Sequence, residues 1–342
     1  MSFISKYADA IQKNLPEWNH QAAHNSQKIK DEISSFQEAC AQIDTTQQID
    51  SQLKELATVI EQHVPDNHIS IYKGNRPLRT ISITHPKENL ATNISHIQGV
   101  SSVVEIPMQA DNCWCVATLK DKKTGVVAIP SFSGHIEKQK EQRRKFVETF
   151  FEEKEKNNWQ HIIFDFRGNT GGDSEIIKEI AERMSEEEVK YADKTELVNT
   201  PAAHKKISEG YILETETHYK PISKTDKFTG SICILQDQYN ASATEGAIFM
   251  LSQLPNTKTI GEKTAGCFAG GATTRLEMGD NTSLSIGTVY RERFDKKGSP
   301  IREKVGMEPD IPCNYNQAFE IALTQISKNV ITSQMLLNKR ER

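Results

Sequence analysis

Residues 161–172 read His161-Ile-Ile-Phe-Asp-Phe-Arg-Gly-Asn-Thr-Gly-Gly172, an apolar run followed at once by a turn carrying Gly168, Gly171 and Gly172. A continuous apolar run of this length belongs to a strand covered on both faces, the usual state of a parallel strand in an α/β sheet. After the turn, Asp173 or Ser174 can cap a helix whose Ile176, Ile177, Ile180, Ala181 and Met184 form one apolar face. The pattern recurs in kind. Ser231–Leu235 reads as a strand, 237–242 as a turn, Ala243–Leu254 as a helix with Ala247, Ile248, Leu251 and Leu254 inward, and Thr257–Ile260 as a further strand. Strand, turn, helix and strand in repetition require an α/β core with crossover connections.

The flanks have a different texture. Phe3, Ile4, Tyr7, Ala8 and Ile11 recur at helical spacing, as do Ile29, Ile33, Phe36 and Cys40, then Ile49, Leu53, Leu56 and Ile60. Strands are expected at 69–72, 80–84, 103–106 and 113–119, a hairpin over 113–129, a charged helix over 136–157, β structure again over 273–290, and a helix over 318–326. The expected organisation is a helical N-terminal domain at 1–65, a β-rich segment at 66–130, and an α/β core with a C-terminal helix at 131–342.

Charge and cysteine usage exclude several classes. A net charge of −4 argues against a nucleic-acid surface, and no apolar run reaches the length of a membrane span. Six cysteines in 342 residues are too sparse for a disulfide scaffold, and Cys113 and Cys115 have no second pair to complete a zinc site. Neither a metal nor another cofactor is expected. Residues 1–24 lack a basic-then-apolar leader, so a cytoplasmic location is expected if Met1 is the native start.

Two turns can carry chemistry. Ser242 stands where a strand passes into a helix, so its hydroxyl would sit beside the free N–H groups of the helix start, and the Ala243 N–H could stabilise an oxyanion. The competing reading makes Ser242 an ordinary N-cap. The glycine turn at 167–172 brings backbone N–H groups close to an anion or a carbonyl oxygen, and a phosphate cradle is the rival. It has neither the Lys-Ser/Thr ending of a P-loop nor the glycine order of a dinucleotide site.

These turns carry a resemblance. Phe164-Asp-Phe-Arg-Gly-Asn-Thr-Gly-Gly172 resembles the Asp-Leu-Arg-x-Asn-x-Gly-Gly signature of the S41 serine peptidases, which include the C-terminal processing proteases and the tricorn core protease. Asn240-Ala-Ser-Ala-Thr-Glu245 resembles their nucleophile motif, and Ile260-Gly-Glu-Lys-Thr-Ala-Gly266 their Val-Gly-Glu-x-Thr-x-Gly. Val305-Gly-Met-Glu-Pro-Asp310, Gly125-Val-Val-Ala-Ile-Pro-Ser-Phe132 and Asp66-Asn-His68 resemble three further motifs, all in the family's order. The resemblance implies a ClpP/crotonase-like core of stacked βαβ units. Only 57 positions separate His68 from Gly125, so a full PDZ domain is not expected between them.

The resemblance divides at the general base. Processing proteases carry a lysine after the Thr-x-Gly, where this chain has Cys267; Lys263 is close in sequence but at the wrong motif position. The tricorn-like branch uses a histidine and a glutamate, implying His68 as the base and Glu303, 61 residues after Ser242, as its supporting carboxylate. His135 is the rival base, and Glu245 is expected to complete a capping box with Ser242. The implied oxyanion hole is the Ala243 N–H with that of Gly171 or Gly172. Arg167 would hold the turn or Asp165, and Asn67 would assist beside His68. The expected activity is a serine endopeptidase cleaving peptides or unfolded protein segments, with an oligomer left open. The alternatives are an inactive S41-like binding or carrier protein and an acyl-transfer hydrolase of non-peptide esters.

Overall fold

The computed structural model describes residues 2–16, 18–19, 27–66, 68–79, 99–109, 112–132, 136–197, 199–209, 218–222, 226–268, 273–301 and 303–328. The chain divides into two compact units, each assembled from three stretches: Met1–Ile83, Ala192–Thr217 and Gly266–Val305 in one, Thr84–Tyr191, His218–Ala265 and Gly306–Arg342 in the other.

In the first unit the amphipathic periodicity yields helices Phe3–Asn14, Gln27–Ala41 and Ile49–His63. Their apolar stripes form one core with Trp18, whose ring lies 5.5 Å from that of Phe36. The same core takes in Ala202, Leu284 and Ile286 from the later stretches. Strand Ser70–Lys73 lies between Arg76–Arg79 and Thr282–Gly287, with Thr273–Gly279 outermost, all antiparallel. Helix Pro201–Ser208 starts where helices tolerate proline, with Thr200 Oγ1 accepting the Ala203 N–H at 3.2 Å. Asn14 Oδ1 accepts the Ala202 N–H at 2.6 Å, tying this helix to the first one. The strand expected at 80–84 lies outside the described residues.

The second unit is built on a seven-stranded sheet in the order Ile311–Pro312, Thr257–Gly261, Ser231–Gln236, His161–Asp165, Thr124–Ala128, Asn112–Leu119, Val100–Gln109. The first five are mutually parallel, Asn112–Leu119 runs antiparallel to them, and Val100–Gln109 runs antiparallel to Asn112–Leu119. Three βαβ units follow one another through helices Ile136–Lys156, Glu175–Met184 and Ala243–Ser252. The expected α/β core is therefore present, and so is the hairpin, which pairs Asn112–Leu119 with Thr124–Ala128.

Strand alternation separates the two faces of this sheet. Cys115, Ala117, Val126, Ala128, Ile163, Cys233 and Leu235 pack with Ala318, Phe319, Ala322 and Ile326 of the helical stretch 318–328. Phe164 lies within 6.0 Å of Phe150 and 6.1 Å of Phe166, ring to ring, in an aromatic cluster with Phe132. Helix Ala243–Ser252 is mostly apolar and buried from Ala243 to Leu251, Thr244 and Glu245 included. Among the described residues, no helix is long and apolar enough to cross a membrane.

Candidate active site

Two turns leave the carboxyl ends of neighbouring parallel strands, the edge where open α/β sheets gather functional loops. Asp165 ends one strand in register with Leu235 of the other, so residues 166–172 and 237–242 emerge side by side. Buried polar side chains knit them together. Asn169 donates to the Ile129 carbonyl at 2.8 Å, while its Oδ1 accepts the Gly171 N–H at 2.9 Å and the Thr244 hydroxyl at 2.7 Å. Asn240 donates to the Phe166 and Asn169 carbonyls at 2.6 and 3.1 Å. Asp237 accepts the N–H groups of Gly168 at 2.7 Å and Tyr239 at 3.0 Å. Burial pushes the Asp237 carboxyl up to about 6, against the lowering effect of those two donors. Arg167 forks onto Asp165 at 2.8 and 2.6 Å and donates a third N–H to the Tyr315 carbonyl at 2.9 Å. Of the two partners expected for it, the turn or Asp165, the side chain takes Asp165.

Within this frame Ser242 has φ +54° and ψ −121°, a left-handed backbone that only glycine adopts cheaply. Its side chain makes no capping hydrogen bond to the helix that begins at Ala243. Ser242 thus stands at the cap position without making the bond that a capping serine makes. Gly171 explains part of the tightness. Its φ is +112°, and a Cβ there would stand 2.9 Å from the Ala241 oxygen and 3.0 Å from Ser242 Cβ.

The expected oxyanion hole needs one correction. The Gly171 N–H is committed to Asn169 Oδ1, so it is not a donor for a substrate oxygen. Gly172 forms a parallel bridge with Phe132, and that bridge uses the Gly171 carbonyl and the Asp173 N–H, not the Gly172 N–H. The Ala243 N–H is the first of its helix and has no intrahelical acceptor. Arg143 holds the bridge from behind, donating to the Phe132 and Asp173 carbonyls at 3.4 and 3.3 Å. Glu245 also differs from expectation. With no side-chain cap from Ser242, the reciprocal capping box does not form. The Glu245 carboxylate receives the Thr264 hydroxyl, whose oxygen accepts the Met307 N–H at 2.7 Å.

The first unit contains a second buried group of titratable side chains. Asp66 Oδ1 accepts the His68 backbone N–H at 2.7 Å and lies 3.4 Å from His68 Nδ1. Glu303 Oε1 lies 3.9 Å from the same nitrogen, and its other oxygen accepts the Phe268 N–H. Cys267 Sγ is 3.4 Å from Nδ1 and 3.5 Å from Nε2. His68 and Glu303 are thus brought together as the sequence implied. Cys267 and Asp66 were not foreseen as their neighbours, although both lie in motifs already singled out. Both carboxylates face the Nδ1 side of the ring, and Cys267 Sγ is about equally near its two nitrogens. His68, Cys267 and Glu303 also present donor atoms within 4.8 Å of one another, a spacing able to hold a metal ion.

The remaining candidates separate easily. Lys263, the nearby lysine, pairs with Glu308 at 2.8 Å. Asn67 and His135 lie outside the described residues. Burial pushes the thiols of Cys40, Cys115 and Cys233 up to about 12, which suits inert core positions.

The sequence profile of Peptidase family S41 matches residues 123–313, more than half of the chain. The chain belongs to peptidase family S41. Solved structures agree in fold. A candidate peptidase from Parabacteroides merdae superposes with a TM-score of 0.56 at 16% identity, over 82% of this chain and 81% of that one. Mature CPAF in complex with lactacystin gives 0.53 at 11% identity, over 98% of both chains. The tricorn protease gives 0.50 at 12% identity, over 95% of this chain and 35% of that one. Identities this low speak for fold alone. Comparison with curated protein sequences returns no significant match. The S41 profile spans both turns of the Ser242 frame as well as Cys267 and Glu303, and it begins after His68. Membership supports a peptidase activity.

Proposed function

We propose that this S41 chain is a serine endopeptidase acting on peptides or unfolded protein segments, with Ser242 as nucleophile. The observation that carries this reading is the Ser242 backbone: a non-glycine residue at φ +54°, on a strand-to-helix turn braced by three buried polar side chains. Such strain costs of order 1–3 kcal/mol and persists where surrounding structure enforces it, typically at functional positions. A cap or a plain turn would have no use for it.

In this reading the Ser242 hydroxyl attacks the scissile carbonyl while His68 Nε2 takes its proton. The carbonyl oxygen, now an anion, is received by the Ala243 N–H and the Gly172 N–H. The resulting imidazolium passes its proton to the departing amine, and water then repeats the sequence on the acyl-enzyme. Glu303 and Asp66, on the Nδ1 side of the ring, stabilise the imidazolium and fix its orientation. A histidine suits the exchange because its ordinary pKa is close to neutrality.

The test is covalent labelling with a fluorophosphonate, followed by cleavage assays on unfolded protein and on small esters. Labelling at Ser242, lost in Ser242→Ala, together with cleavage of unfolded protein supports the reading. His68→Gln should slow labelling by about 10²–10⁴-fold. Ester hydrolysis without peptide cleavage would favour a non-peptide acyl-transfer hydrolase. A folded protein that never labels would leave the S41-like carrier.

A further inference from the structure

We propose that His68, Cys267 and Glu303, backed by Asp66, bind a thiophilic divalent cation of the zinc class, and that filling this site withdraws His68 from catalysis. The second half rests on the reading of His68 as general base; the first half does not.

The donor set is the starting point. An imidazole, a thiol and a carboxylate are the three ligand types zinc takes most readily, and hard ions such as Mg²⁺ or Ca²⁺ have little use for sulfur. Their spacing follows. With metal–sulfur and metal–nitrogen bonds of about 2.3 and 2.0–2.1 Å, a tetrahedral ion sets its ligand atoms about 3.3–3.6 Å apart. Cys267 Sγ lies 3.4 and 3.5 Å from the two His68 nitrogens, and Glu303 Oε1 3.9 Å from Nδ1. All three donors fall within 4.8 Å of one another. Because Sγ is about equally near both ring nitrogens, the His68 ring must turn to bring one nitrogen's lone pair onto an ion shared with Cys267 and Glu303, leaving one position for water.

Asp66 is an independent observation. It is fully buried, its Oδ1 stands 3.4 Å from His68 Nδ1, and its Oδ2 is buried with no hydrogen-bond partner among the described residues. An unsatisfied carboxylate oxygen in the interior is costly, and a cation beside it removes that cost. The alternative use of Cys267 as a second nucleophile fits poorly, since the residue is fully buried and offers a substrate carbonyl no approach, whereas an ion needs far less room.

Binding would release the Cys267 thiol proton to water and form a metal–thiolate bond. The consequence for His68 does not depend on which nitrogen coordinates. If Nε2 binds the ion, its lone pair is used. If Nδ1 binds it, the ring proton moves to Nε2, which then donates and cannot accept. Either way the base is lost until the ion leaves, so the same residues would serve as a reversible brake.

Cobalt(II) titration of the full chain tests the site without reference to activity. A thiolate-to-cobalt charge-transfer band in the near ultraviolet, saturating at one ion per chain and displaced by zinc, is expected for wild type. Cys267→Ser should abolish it. Asp66→Asn, which keeps the three ligands, should weaken binding by at least about tenfold. If Cys267→Ser fails to fold, Glu303→Gln serves in its place and should lose tight binding. No thiolate band in folded wild type, or a band that survives Cys267→Ser, would overturn the site. In parallel, zinc should suppress fluorophosphonate labelling and peptide cleavage in wild type, with recovery on chelation. Cobalt binding without zinc inhibition would refute the brake and leave the site. Cobalt binding in a chain that neither labels nor cleaves would refute the peptidase reading and leave the site.

Discussion

At the scale of single residues, the proposed nucleophile Ser242 has a backbone that works against stability. Its φ of +54° and ψ of −121° are cheap for glycine and costly for serine. Replacing it by glycine removes a strain of order 1–3 kcal/mol and adds about 0.5–1 kcal/mol of chain entropy to be lost on folding. Ser242→Gly should therefore be more stable than wild type by about 1 kcal/mol while losing all fluorophosphonate labelling. Chemical denaturation of the two proteins checks this, and a glycine variant less stable than wild type would remove the strain argument. Ser242 stands out as a candidate in the sequence because motif and strand-to-helix transition coincide on it. Its backbone angle does not, since serine is a common helix cap and nothing local signals a left-handed turn. The Gly171 N–H is hidden in the sequence for a related reason: a glycine turn announces exposed donors, but only the fold shows that Asn169 Oδ1 has taken one of them. Cys267 was read as the loss of a lysine. Its place against His68 depends on residues 199 positions apart and could not be read from either neighbourhood.

At the scale of elements, the long periodic or continuous apolar segments were the readable ones. His161–Asp165, Ser231–Gln236, Glu175–Met184 and the three N-terminal helices all follow from spacing, because burial of one stripe or both faces leaves its mark on every residue. The pairs Val189–Lys190 and His218–Tyr219 have two residues each, too few for any period to show. The frame between the turns at 166–172 and 237–242 depends on Asp237, whose carboxyl makes stability depend on pH. Its folded carboxyl titrates near 6, above the ordinary carboxylate value near 4. Between those values the folded chain binds more protons than the unfolded one, so stability falls as pH rises from about 4 to about 6 and is level above. Two pKa units correspond to about 3 kcal/mol as an upper bound. Asp237→Asn has no such titration. The stability of wild type relative to Asp237→Asn should thus drop by about 2–3 kcal/mol between pH 4 and pH 7, whatever constant penalty the amide brings to the Gly168 and Tyr239 contacts. Urea unfolding at both pH values measures it, and parallel profiles would show that Asp237 is charged throughout.

At the scale of the whole molecule, the chain returns twice to the unit it began. The three opening helices present one continuous apolar face in sequence, and nothing in that stretch signals that it is completed from residues far downstream. Yet Ala202, Leu284 and Ile286 are fully buried in the same core as Tyr7, Leu56 and Ile60, and Ser70–Lys73 is paired along its length with Thr282–Gly287. Without that strand, Ser70–Lys73 keeps only Arg76–Arg79, and an isolated two-stranded ribbon is marginal in water. Helix Phe3–Asn14 would also lose the Ala202 N–H that Asn14 now accepts. A fragment ending at residue 83 should therefore show partial helicity without a cooperative unfolding transition or a fixed near-ultraviolet signal from Trp18. Adding residues 192–217 and 266–305 in trans should restore both if the unit's own contacts suffice to assemble it. A fragment that unfolds cooperatively by itself would show that the helices need no closure, and the dependence of the His68 environment on residues 266–305 would then have to be a late event in folding. The outcome bears on the site directly: Asp66 and His68 belong to the opening stretch, Cys267 and Glu303 to the last one, so the cluster can form only after that return is complete.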